Sequence, residues 1–186
     1  MTNRTLLKLN QLLVSVVFGA LTHCSGVAAV ECVDGIDWNF EISNGEATLQ
    51  RNGSDPCIQA STAGAVVIPA VLGGCPVTEI GYSAFKGCSA VTNVVISSAI
   101  KVVGNYAFSS CSSLVSATIP NGVVRIGQGV FECCTSLTTA TLPPSIEILP
   151  SCIFQDCSNL VSVELSAGLR RIEWSAFEGC AKLADI

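Results

Sequence analysis

The residues best equipped for chemistry in this chain are its eleven cysteines. Five of them, Cys88, Cys111, Cys134, Cys157 and Cys180, recur every 23 residues, each three positions after a Phe: Phe85, Phe108, Phe131, Phe154 and Phe177. A column of thiols has three uses: disulfides, a soft-metal site, or small apolar filling. Disulfides need Cα atoms about 4.4–6.8 Å apart, and an odd column of five cannot pair completely within itself. Thiolate zinc sites favour close pairs such as Cys-x₂-Cys, and the sequence has none. The remaining reading is a small buried residue filling the same niche in every unit. Cys32, Cys57, Cys75, Cys133 and Cys152 stand outside this column. In an exported protein such extras favour disulfides. Cys133 and Cys152 fall in outer turns of adjacent units and are expected to pair. Cys32 with Cys57 would tie an N-terminal cap to its loop, with Cys57–Cys75 as the alternative; either choice leaves one cysteine over.

Acid–base and nucleophilic chemistry have little to draw on. The one histidine, His23, lies in a segment expected to be removed, so histidine triads and histidine metal sites are excluded from the mature chain. Glu132, Asp156 and Glu178 fall in outer turns beside the cysteine column, where solvated side chains belong. The glycines mark corners and do not form a phosphate-binding loop between a strand and a long helix. The expectation is a non-enzymatic protein with no catalytic residue, metal or cofactor.

The N-terminus reads as a secretory signal over residues 1–29. Arg4 and Lys8 give the positive start, Leu12 to Leu21 the apolar run, and Val27-Ala28-Ala29 the small residues of a cleavage site after Ala29. The competing reading is a membrane anchor, but an apolar run of about ten residues falls short of the roughly 20 needed for a spanning helix. Leu21-Thr22-His23-Cys24 resembles a lipobox only faintly. Cleavage removes two of nine basic residues and none of the 14 acids, so net charge moves from −5 to 7 − 14 = −7. That balance argues against nucleic acid and anionic membranes as partners. Charged residues make up 12% of the chain, against roughly 25% in ordinary soluble domains.

Residues 30–65 read as a β-hairpin cap followed by a loop. Ile36, Trp38, Phe40 and Ile42 alternate with polar residues, Asn44-Gly45 supplies the turn, and Ala47 and Leu49 resume the alternation. The turn-rich loop holds Asn52-Gly53-Ser54, a possible glycosylation site at Asn52. An incomplete repeat begins at Ala65-Val66-Val67-Ile68-Pro69, and Leu72-Gly73-Gly74-Cys75-Pro76 reads as an inserted loop.

Residues 66–186 form 23-residue repeats, the last incomplete. Counting each unit from Val91, Leu114, Leu137, Leu160 and Leu183, position 4 is Val94, Ala117, Ala140, Val163 and Ile186. Position 6 is Ile96, Ile119, Leu142 and Leu165; position 13 is Val103, Ile126, Leu149 and Ile172. Positions 4 and 6 share one face of a strand. One unit cannot bury that face alone, but stacked units can. The period predicts a repeat solenoid with a parallel β-sheet on one side and short helical or 3₁₀ turns on the other. Gly81, Gly104 and Gly127 at position 14 are expected to permit tight corners; Pro150 and Glu173 break that column.

The stretches Leu114-Val-Ser-Ala-Thr-Ile119-Pro120-Asn-Gly-Val-Val-Arg-Ile126-Gly127 and Tyr106-Ala107-Phe108-Ser109-Ser110-Cys111 resemble the BspA-like leucine-rich repeat family. The resemblance spans about residues 30–186. It implies an α/β leucine-rich repeat solenoid and a surface or secreted role in adhesion or protein recognition. It does not imply one ligand.

The face opposite the core is the candidate binding surface. It carries Thr92, Asn93 and Val95; Val115, Ser116 and Thr118; Thr138, Thr139 and Thr141; and Ser162 and Glu164. Short, nearly uncharged side chains on a rigid sheet lose little entropy on binding. Small β-branched residues also simply suit exposed strands, so a structural spacer remains the alternative. The expected partner is a protein or cell-surface ligand, met outside the cell. The sequence stops at Ile186, four residues into a new unit. That open rung suggests a fragment, an array continued in a partner, or self-association.

Overall fold

A computed structural model describes residues 27–184. The expected signal run Leu12–Leu21, His23, Cys24 and Ile186 lie outside the described residues. Three strands come first: β1 (Val27–Val33), β2 (Ile36–Ser43) and β3 (Glu46–Leu49). They form an antiparallel meander, with Asn44 and Gly45 at the β2–β3 turn in the left-handed region (φ 54° and 78°). That conformation suits Asn and Gly and is what a two-residue hairpin turn requires. Ala29 lies within β1 opposite Phe40, so cleavage after it would leave Val30–Val33 of the strand.

Next come β4 (Gly64–Val67), β5 (Val71–Leu72) and β6 (Cys75–Ile80). The Gly-Gly segment, read from composition as a loop, is instead a tight β5–β6 hairpin. Val71 opposes Pro76 and Leu72 opposes Cys75, with Gly73 and Gly74 at positive φ. Cys75 therefore has a packing reason for its place: it is buried against the core beside Leu72.

From there the units alternate two strands each. β7 (Val91–Val95), β9 (Ser116–Thr118), β11 (Thr139–Thr141) and β13 (Ser162–Glu164) come from the first part of each unit. β8 (Val102–Val103), β10 (Arg125–Ile126), β12 (Ile148–Leu149) and β14 (Arg171–Ile172) come from the middle. The first set builds parallel ladders β4–β7 and β9–β11–β13. The second builds β3–β6–β8–β10 and β12–β14, also parallel. A single-sheet picture thus missed one ladder. The N-terminal meander joins that second ladder through β3 and not the candidate binding face.

The outer wall also departs from expectation. No helix occurs among the described residues; the Ala-Phe-x-x-Cys segments are turns. Alternate amides point in two directions. Ala107, Ser109 and Cys111 donate three residues back, to Gly104, Tyr106 and Phe108. Phe108 and Ser110 donate instead to Val130 and Glu132 of the next unit, at 2.9 and 2.7 Å. Two left-handed residues per turn make this possible, as at Tyr106 (φ 58°) and Ser110 (φ 60°). A helix needs a continuous right-handed run, and a left-handed residue ends it.

Inside the wall the Phe rings stack. Phe85–Phe108, Phe108–Phe131, Phe131–Phe154 and Phe154–Phe177 have centroids 4.9, 5.7, 5.6 and 5.7 Å apart, with interplanar angles of 16° or less. Trp38 meets Phe85 edge-on at 6.2 Å and covers the N-terminal end of the stack. Burying one such ring is worth about 1.5–3 kcal/mol.

The position-14 glycines serve a different purpose from corner formation. None of Gly81, Gly104 and Gly127 has positive φ. A Cβ on Gly104 would lie 2.8 Å from the Gly81 carbonyl carbon, and one on Gly127 would lie 2.5 Å from the Asn105 nitrogen. The column is glycine because consecutive backbones touch there. Pro150 interrupts it with a visible consequence. Gly127 donates to Val103 O and Glu173 to Leu149 O, at 2.8 and 3.0 Å. Pro150 has no N–H to give Ile126, and the second ladder breaks between β10 and β12.

Candidate functional site

The outward face of the first ladder is built by strand alternation. On β9 and β11, Ala117 and Ala140 point inward and are buried, while Ser116, Thr118, Thr139 and Thr141 point outward and are partly or fully exposed. Parallel pairing sets like beside like: Ser116, Thr139 and Ser162 form one row, Thr118, Thr141 and Glu164 the next. One position before the first row, Val115 and Val161 are exposed, with Thr138 half-buried between them. On β7, Thr92 and Val95 are exposed and Asn93 half-buried. The structure turns the candidates at positions 3 and 5 outward on two ladders, β4–β7 and β9–β11–β13, with Thr92, Val115 and Thr138 exposed or half-buried one position before them. Val67, 61% exposed and paired with Val95, extends the face. Its position between inward Val66 and Ile68 was the signal that it belonged there.

The face is already partly hydrogen-bonded. Thr141 Oγ1 donates to Glu164 Oε2 at 3.2 Å, and Thr138 Oγ1 donates to Val115 O at 3.0 Å. These bonds run between units and hold side chains at the repeat spacing. Glu164 is the one charged group among the candidate residues.

The thiols occupy a dry interior. Cys88, Cys111, Cys134 and Cys157 are buried. Cys111, Cys134, Cys157 and Cys180 donate their S–H to the carbonyls of Phe85, Phe108, Phe131 and Phe154, 26 residues earlier, at 3.0–3.2 Å. Burial pushes the Cys88 and Cys157 thiols up to about 12, and raises Cys111 and Cys134 as well. Such groups stay protonated and closed to substrates, so they are packing elements and not nucleophiles.

Both expected disulfides are absent; all ten described cysteines are free. Cys133 and Cys152 occupy the two different left-handed columns (φ 58° and 57°). The amide of Cys133 reaches Gln155 O on the next unit and that of Cys152 reaches Trp174 O, so the register sets them four positions out of step. Cys32 is exposed on edge strand β1, beside Asp37. Cys57 is buried at the head of the cysteine column, where its thiol is pushed well up by burial and then by neighbouring Cys88. Cys32 thus faces solvent and Cys57 the core. Asn52 is exposed in a turn closed by reciprocal backbone bonds with Asp55.

Among the described residues no three His, Cys, Asp or Glu side chains converge as metal ligands, and no helix is long and apolar enough to cross a membrane. Glu132 accepts from Ser109 Oγ at 3.2 Å and Glu173 from Ser151 Oγ at 3.1 Å, so these carboxylates tie outer turns together.

The repeat unit matches the model of the BspA type leucine rich repeat region in six copies over residues 78–186. The chain belongs to this family. A leucine rich cell surface protein from Faecalibacterium prausnitzii A2-165 superposes with a TM-score of 0.72 at 24% identity, over 84% of this chain and 38% of that one. A leucine-rich repeat protein from Eubacterium ventriosum gives 0.66 at 20% identity, over 84% and 38%. One from Bacteroides ovatus gives 0.59 at 23%, over 83% and 52%. At these identities the likeness is one of fold. The chain spans well under two thirds of each of these three proteins. No curated protein matches it in sequence.

Proposed function

We propose that this BspA-type chain is a secreted or cell-surface recognition module, a solenoid that binds a protein partner through the outward face of β7, β9, β11 and β13, without catalysis. The observation that carries the reading is the double row Ser116–Thr139–Ser162 and Thr118–Thr141–Glu164. It is a set of short side chains on hydrogen-bonded strands, flanked by exposed Val95, Val115 and Val161. Hydroxyls give adaptable polar contacts and the valines give apolar area, and the rigid backbone keeps the entropic cost of binding low. The family's leucine-rich repeats and the likeness to a cell surface protein of F. prausnitzii support the setting.

The test places charge on the face. Thr118→Glu and Thr139→Lys, both at exposed positions, should leave the thermal melt unchanged and abolish adhesion to immobilised host or matrix proteins. Adhesion that survives both changes would count against the face.

A spacer with no specific ligand is the second reading. It is favoured by the Thr141–Glu164 and Thr138–Val115 bonds, which spend two hydroxyls on holding units together. Adhesion absent from the wild-type chain would favour it.

A further inference from the structure

A groove of about 580 Å³ opens where the N-terminal strands meet the first outer turn. Three separated stretches line it. β3 and the loop after it give Thr48, Gln50 and Arg51; β6 gives Glu79; the first outer turn gives Tyr82 and Lys86. None belongs to the outward strand face. Its size falls in the range of small-molecule sites, about 300–1,000 Å³.

Its charge runs against that of the chain, which has 14 acids to nine bases. Elsewhere Arg170 pairs with Glu147 at 3.4 Å and Arg171 with Glu173 at 2.9 Å. Arg51 and Lys86 form no such pair among the described residues, and neither do Lys101, Arg125 and Lys182; what sets Arg51 and Lys86 apart is that both line one groove. Lys86 Nζ lies over the Tyr106 ring, 5.6 Å from its centroid, which orients the ammonium. Tyr82 meets the same ring edge-on at 6.1 Å and 85°, yet remains 64% exposed. Its ring is therefore fixed while most of its surface stays open.

We propose that this groove binds an acidic saccharide, a sugar carrying a carboxylate or sulfate. The planar guanidinium of Arg51 and the ammonium of Lys86 receive the anion. The Tyr82 ring offers an apolar platform to the C–H face of a pyranose. Gln50, Thr48 and Glu79 exchange hydrogen bonds with ring hydroxyls. Glu79 is what separates a saccharide from a bare anion: its carboxylate opposes a second negative charge but accepts from hydroxyls.

Calorimetric titration of the full chain, produced in bacteria so that Asn52 is bare, tests the assignment. The probes are an oligogalacturonide for carboxylate, a sulfated galactan oligosaccharide for sulfate, maltohexaose as the neutral sugar, and inorganic phosphate. At least one acidic saccharide should bind, with maltohexaose and phosphate at least tenfold weaker. Lys86→Gln and Arg51→Gln should each weaken binding about tenfold or more, and Tyr82→Ala should do likewise. Lys86 and Tyr82 are exposed, so those variants keep the fold. Thr118→Glu, on the other face, should change nothing here, which separates this site from the protein-recognition reading. The proposal is overturned if neither acidic saccharide binds, if phosphate or maltohexaose binds as tightly, or if Lys86→Gln leaves the affinity intact.

Discussion

The Cys134 thiol donates to the Phe108 carbonyl of the preceding unit at 3.2 Å, and the same bond recurs from Cys111, Cys157 and Cys180. The thiol therefore fills a niche and adds a second donor to a carbonyl that already accepts from the Cys111 amide. Cys134→Ala removes both and should destabilise by about 1–3 kcal/mol in urea unfolding. A cost near zero would mean that neither the volume the thiol fills nor its added hydrogen bond stabilises the fold.

The same thiols make stability fall in alkali. Their folded-state values lie above the ordinary 9.0, about 12 for Cys88 and Cys157. Above pH 9 the unfolded chain releases these protons and the folded chain keeps them. The unfolded state then binds fewer protons, so unfolding free energy decreases with pH, by up to about 1.4 kcal/mol per unit for each thiol. The stabilisation is full below pH 9 and is lost as pH rises toward 12. Urea midpoints measured from pH 8 to 10.5 should drop steeply, and Cys134→Ala should flatten the slope. A midpoint constant to pH 10.5 would contradict the burial of the column.

Phe131 lies between Phe108 and Phe154 with centroids at 5.7 and 5.6 Å. Phe131→Ala leaves a cavity in the middle of the stack and should cost about 3–5 kcal/mol. A thermal melt without a shift would remove the Phe column from the core.

The core was legible because side-chain period and burial obey the same rule. Positions 4, 13 and 18 are apolar in the sequence, and Ala117, Ile126 and Phe131 are buried in the structure. The outward face was legible by the same alternation. The outer wall was not, because its conformation depends on which amides bond to the next unit. Ser110, Cys133 and Asp156 share one left-handed column although their side chains have little in common. The 23-residue period puts Cys133 at position 20 and Cys152 at position 16, and the structure makes these two separate left-handed columns, so the expected disulfide does not form. The groove at Arg51 and Lys86 was invisible for a related reason: its walls are 35 residues apart and meet only because β3 pairs with β6.

Glycine position 104 separates corner formation from close approach. A Cβ there meets the Gly81 carbonyl carbon at 2.8 Å and the Tyr82 nitrogen at 2.9 Å, both backbone atoms that cannot rotate aside. Gly104→Ala should cost about 1–3 kcal/mol. At Gly168 the nearest atom is Ser166 Oγ at 3.4 Å and φ is not positive. Gly168→Ala should be neutral or gain about 0.4–1 kcal/mol by restricting the unfolded chain. Melting temperatures that move in the same direction for both would refute the distinction.

Pro150 offers the most local test of how units are joined. In its column, Gly104, Gly127 and Glu173 each donate to the carbonyl one unit back, and Gly81 to Leu49 O of the N-terminal meander, at 2.7–3.0 Å. The register assigns the matching bond of residue 150 to Ile126 O, and proline has no hydrogen to give. Pro150→Ala supplies that hydrogen at a position that already holds a Cβ. The new bond should contribute about 0.5–1.5 kcal/mol, while the freed unfolded chain takes back about 0.4–1 kcal/mol. Net stability should therefore change little, and the informative readout is hydrogen exchange. The amide of residue 150 should be protected, and protection should rise at Ile148 and Leu149 as β12 joins β10. A freely exchanging amide at 150 would show that the two ladders are held apart by more than the missing donor.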